Sequence, residues 1–81
     1  MAPTTYNNAR KPVASEMITI NGERRAVEPG ATLLDVVRSL GLEPERVAVE
    51  LNREIVKRER WAETKVAGAA EIEIVQFVGG G

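Results

Sequence analysis

Eighty-one residues make one small domain, which depends on good packing, a staple or a partner. With no cysteine and no histidine, the chain has no disulfide, no thiolate metal site and none of the usual imidazole bases or ligands. Its 11 basic and 12 acidic side chains are interspersed and leave a net charge of −1, without the basic stripe of a nucleic-acid binder. No apolar run reaches the length of a membrane span, so a cytoplasmic protein that engages neither nucleic acid nor membrane is expected.

Residues 1–16, "MAPTTYNNARKPVASE", hold two prolines and little that could form a core, and are expected to be a disordered extension. The Arg10-Lys11 pair, with no acid before Glu16, faintly resembles a transit peptide; an inert extension is the preferred reading. The domain is expected over 17–78. "MITIN" alternates and sets Ile18 and Ile20 on one face, and Asn21-Gly22 is the strongest short hairpin signal, since a type I′ turn needs positive φ at both central residues. The returning "ERRAV" then places Glu23 opposite Ile20 and Arg25 opposite Ile18, so both charges must sit at the rim or the turn must differ.

Pro29-Gly30 breaks that strand. Thr32 followed by Asp35 reads as a capping box, and Leu33, Val36, Val37 and Leu40 form one helical face that ends at Gly41. So short a helix would not persist alone and must lie on a sheet. Leu34, beside the buried stripe, could contribute to a docking patch with an apolar sheet face. "RVAVEL" directs Val47, Val49 and Leu51 inward; Ile55-Val56 makes an edge strand; "KRERWAETKV" is a polar connection with one helical turn. Trp61 is expected to plug the edge of a core shared with Phe77, with a partner hot spot as the alternative. "EIEIVQFV" (71–78) is apolar on both faces in part, as befits a strand central in its sheet and covered on one side. The economical arrangement is an α+β roll: a mixed sheet of about five strands, first and last adjacent and parallel, with one helix across it.

Side-chain chemistry is scarce. Glu50, Glu54, Glu59, Glu63, Glu71 and Glu73 are the carboxylates that could work as acid or base. Glu71 and Glu73 alternate with buried isoleucines, however, and read as surface charge. Ser15 and Ser39 lack a histidine to activate them, and Lys57 and Lys65 lie in a polar loop. The glycine run matches neither phosphate-binding loop pattern, so no catalytic residue of its own, no metal and no bound cofactor are expected. What remains is the ending, Gly79-Gly80-Gly81. A bare backbone of three residues can reach roughly 10 Å and enter a slot that any side chain would block. The group it would deliver is the α-carboxylate of Gly81, with ATP supplied by another protein; an incidental glycine run is the competing reading.

From Met17 to Gly81 the chain resembles the ThiS family, the sulfur carriers of thiamine biosynthesis within the ubiquitin-like β-grasp group. The likeness rests on "MITINGE", "PGATLLDVV", the stretch "AVELNREIVKRERW" and "EIEIVQFVGGG". The resemblance implies a β-grasp roll and a carrier, not an enzyme. It implies that a ubiquitin-activating-type adenylyltransferase uses ATP and Mg to adenylate Gly81, and that a persulfide donor converts it to a thiocarboxylate. Thiazole synthase then takes the sulfur, with Gly79 and Gly80 as the arm entering both partners. Ala69-Ala70 departs from the Gly-Asp that the family often shows there and weakens the turn signal. Rival readings are a β-grasp carrier for molybdopterin, tRNA thiolation or cysteine synthesis, a ubiquitin-like protein modifier, and a non-reacting interaction module.

Overall fold

The computed structural model describes residues 15–77. Its elements are strand β1 (Glu16–Ile20), strand β2 (Glu23–Val27), helix α1 (Leu33–Ser39), a 3-10 turn (Pro44–Arg46), strand β3 (Val47–Leu51), strand β4 (Glu54–Ile55), a 3-10 helix (Arg58–Glu63) and strand β5 (Glu71–Gln76). The five strands form one sheet in the order β2-β1-β5-β3-β4. β1 and β5 are adjacent and parallel, and the remaining pairs are antiparallel. The expected α+β roll with a mixed five-stranded sheet and one main helix is the observed architecture.

The first hairpin forms in the register its turn dictates. Asn21 and Gly22 both take positive φ, 49° and 86°, and Ile20 stands opposite Glu23, Ile18 opposite Arg25. The conflict between apolar and charged partners is resolved by position: β2 is an edge strand, and Glu23 and Arg25 are exposed at its rim. The strand takes in Glu16, opposite Val27, one residue before the expected start at Met17. The rest of the proposed extension, residues 1–14, lies outside the described residues, as do Val78 and the Gly79–Gly81 arm.

The helix begins with the anticipated capping box. The Asp35 N–H donates to Thr32 Oγ1 at 3.1 Å, and the Thr32 N–H donates to Asp35 Oδ2 at 3.0 Å. The hydrogen bond from the Thr32 backbone holds the Asp35 carboxyl below the ordinary 3.8; the Thr32 side chain lowers it further, and the Arg38 charge adds to this against a small opposing effect of desolvation. Leu33, Val36 and Val37 are buried, and Gly41 follows with φ 76°.

Those three residues close on Ile18, Ile20, Val47, Val49, Ile72 and Ile74 from the inner sheet face, with Trp61 and Val66 sealing one side. Trp61 is 1% exposed, and its Nε1 donates to the Val56 carbonyl at 2.8 Å, so the packing reading holds. Phe77 does not share that core. It is 52% exposed, because β5 alternates and the inward positions are Ile72 and Ile74. The edge strand is Glu54–Ile55 and not Ile55–Val56: Asn52 and Arg53 (φ 52° and 73°) make a tight two-residue turn that pairs Leu51 with Glu54. No helix among the described residues is long and apolar enough to cross a membrane.

Candidate functional site

The expected working group, Gly81 with its Gly79-Gly80 arm, lies outside the described residues; what the structure shows is the root from which it extends. That root is β5. Because β5 lies between β1 and β3, it is held from both sides over its first half. Thr19 N–H donates to the Ala70 carbonyl at 2.9 Å and Asn21 N–H to that of Ile72 at 2.8 Å, while β3 pairs with β5 from Leu51↔Ile72 to Val47↔Gln76. Phe77 N–H still donates to the Arg46 carbonyl at 2.8 Å, so the β3 side is held to the last described residue.

Two asparagine side chains complete the anchorage, and neither was legible as such in the sequence. Each sits at the first central position of a hairpin turn with positive φ, a conformation asparagine tolerates better than most residues. Asn52 embraces Glu71: its N–H donates to the Glu71 carbonyl at 2.7 Å, and its Oδ1 accepts from the Glu71 N–H at 2.9 Å. Asn21 embraces Ile74 through its carboxamide alone, with Oδ1 accepting from the Ile74 N–H at 2.8 Å and Nδ2 donating to the Ile74 carbonyl at 3.1 Å. Asparagine in a turn signals backbone conformation, and only the folded register reveals that its side chain reaches a third strand.

The sheet face away from the helix is open. Val75 (59% exposed) and Phe77 project from it at the root of the arm, with Ala48 directly opposite Val75. Leu34 adds nothing to this patch, since it is half-buried on the helix side of the sheet. The carboxylates assemble no catalytic pair. Glu54, Glu59, Glu63, Glu71 and Glu73 are exposed; Glu50 is half-buried and stands opposite Glu73, an unfavourable like-charge pairing on a wet surface. Glu63 pairs with Arg60. Ser39 donates to the Val36 carbonyl within its own helix, Ser15, Lys57 and Lys65 are exposed, and no cluster of potential metal ligands occurs among the described residues. An open groove of about 410 Å³ borders Val27, Glu28, Pro29 and Asp35. It lies at the opposite end of the parallel β1–β5 pair from Phe77.

The turn before β5 forms despite its departure from the family pattern. Ala70 N–H donates to the Ala67 carbonyl at 3.1 Å, Ala69 N–H to that of Met17 at 2.8 Å, and Ala69 itself takes φ 68°. Alanine therefore occupies the left-handed position that glycine fills without steric cost.

A mixed five-stranded roll with one helix across it, its first and last strands adjacent and parallel and its last strand doubly anchored, defines a ubiquitin-like β-grasp domain. The family model described as "ThiS family" matches residues 18–81. A full-length relative, "Sulfur carrier protein ThiS" of Bacillus subtilis, is 39% identical over 66 residues, covering 80% of this chain and all of that protein. The chain belongs to the ThiS family. It also matches proteins named "Thiazole synthase" from Magnetococcus marinus and Paramagnetospirillum magneticum, at 41% and 39% identity over 64 residues and 79% of the chain. The chain spans only 20% of their length. A crystal structure of the thiamine biosynthesis protein ThiS from Geobacter metallireducens superposes with TM-score 0.69 at 31% identity, over 80% of this chain and 99% of that one.

Proposed function

We propose that this chain is a cytoplasmic sulfur carrier for thiazole formation in thiamine biosynthesis, with the Gly81 carboxylate as the group that is loaded. The carrying observation is the family match, which runs through Gly81 and so includes the whole glycine arm. The fold supports it: β5 is gripped along its length, and the arm that follows is backbone alone.

The chemistry divides between this chain and its partners. A ubiquitin-activating-type adenylyltransferase brings ATP and Mg. A Gly81 carboxylate oxygen attacks the α-phosphorus of ATP, pyrophosphate leaves, and an acyl-adenylate forms. The terminal sulfur of a protein persulfide then attacks the acyl carbon and expels AMP, giving an acyl disulfide. A second thiol on the donor reduces that bond, releasing the Gly81 thiocarboxylate and leaving a disulfide behind. Thiazole synthase accepts the sulfur. The existence of relatives named thiazole synthase that contain a segment like this chain supports that choice of acceptor over the molybdopterin, tRNA and cysteine alternatives.

What the chain contributes is delivery. Gly79 and Gly80 carry no side chain, so the arm fits a narrow channel, and the partner bears the cost of ordering it. Val75 and Phe77 give apolar ground beside the arm for the enzyme that receives it.

A thiazole auxotroph lacking its own carrier tests the proposal. The full chain is expected to restore growth, and a variant lengthened by one leucine after Gly81, shown by mass to be untrimmed, is expected not to. Equal growth with both would refute the role of the terminal carboxylate.

A further inference from the structure

The inner partner of β5 is too short for it. β1 reaches only as far as Ile20, opposite Ile72, so from Ile74 onward no strand among the described residues lies on that side of β5. The Asn21 carboxamide stands where the next strand residue would be. It offers Ile74 one acceptor and one donor, at 2.8 and 3.1 Å, the same pair of bonds a backbone neighbour would make. Opposite it, β3 and the Arg46 carbonyl hold Val75 and Phe77. Without Asn21 the last residues of β5 would be attached along one edge only, free to tilt about the β3 ladder.

We propose that Asn21 is a positioning residue for the chemistry at Gly81: it braces the one-sided end of β5 and so fixes the direction in which the arm leaves the domain. This rests on the sulfur-carrier reading. A three-residue arm spans up to roughly 10 Å, so a tilt of about 20° at its root moves its end by about 3 Å, and displacements of this order are felt in reaction rates. Asn52 supplies the control. It makes the matching pair of bonds to Glu71 at the other end of β5, away from the arm.

Asn21→Gly and Asn52→Gly both keep the positive φ of their turns while removing the carboxamide, without turn strain. Asn21→Gly loses both bonds to Ile74, and Asn52→Gly loses the Oδ1 bond to Glu71 while its backbone N–H still holds the Glu71 carbonyl. With a cognate adenylyltransferase and ATP, Asn21→Gly is expected to lower kcat/KM for pyrophosphate release by about tenfold, the equivalent of two modest hydrogen bonds. Asn52→Gly is expected to stay within about twofold of wild type at matched folded fraction. Equal losses in the two variants, or no loss in either, would overturn the proposal. A second readout needs no partner: amide hydrogen exchange at Ile74 through Phe77 in the isolated chain is expected to quicken in Asn21→Gly and not in Asn52→Gly. If the wild-type chain releases no pyrophosphate, the sulfur-carrier reading fails, and unchanged exchange in Asn21→Gly would separately refute the bracing.

Discussion

Replacing Trp61 by phenylalanine tests how the roll stays folded with so small a core. The indole is 1% exposed and its Nε1–H is bound to the Val56 carbonyl at 2.8 Å. Phenylalanine is smaller by roughly 40 Å³, and at about 24 cal/mol per Å³ of residual cavity the lost packing costs about 1 kcal/mol. The Val56 carbonyl also loses its indole donor; Val56 is half-buried, so water can replace only part of that bond, and the loss adds about 1–2 kcal/mol. The total, about 2–3 kcal/mol, is a large share of the roughly 3–9 kcal/mol that some sixty ordered residues provide. In urea, with a slope near 1 kcal/mol per M, the midpoint followed by circular dichroism should fall by about 2–3 M. A shift under about 0.5 M with an unchanged slope would show that Trp61 is not part of the structural core, and would return it to the role of a partner contact.

Two further perturbations follow from the turns and the helix cap. Asp35 has its carboxyl held below the ordinary 3.8 in the folded state, so the bonds that lower it favour folding above that value and lose this effect as pH falls through the folded-state pKa. Urea titrations across the acid range should therefore show stability falling below 3.8 in the wild type and a shallower fall in Asp35→Asn; parallel curves would exclude the capping box as the source. Ala69→Gly should stabilise the domain by about 0.5–1 kcal/mol, since relief of the left-handed alanine exceeds the entropy added to the unfolded chain. Destabilisation by that change, measured as a lower thermal midpoint, would contradict the strain assigned to the turn.

Much of the roll could be read from local patterns because local physics sets it. The Asn21-Gly22 turn fixes its register, Thr32 and Asp35 form the cap they spell, and the alternation of Val47, Val49, Ile72 and Ile74 places one face of the sheet under the helix. What stayed hidden depends on which strands meet. Phe77 looked like core by composition, yet its parity on β5 turns it to solvent. The Ala69 turn forms against local preference because the Met17 carbonyl and the β1–β5 pairing hold it. The asparagine braces required the knowledge that β5 runs between two hairpin turns from distant parts of the chain. The Gly79–Gly81 arm was the reverse case, conspicuous in sequence and outside the described fold.

The claim at the centre is that Gly81 is the reagent and the folded roll its handle. Intact-mass measurement of the chain after incubation with a cognate adenylyltransferase, ATP, Mg and a persulfide-bearing sulfur donor tests it directly. The account predicts replacement of one oxygen by sulfur, located in the C-terminal fragment that contains Gly81, and dependent on ATP. A properly folded chain that is left unmodified by a partner shown to be active on another carrier of this family, or that gains sulfur anywhere else, would contradict it.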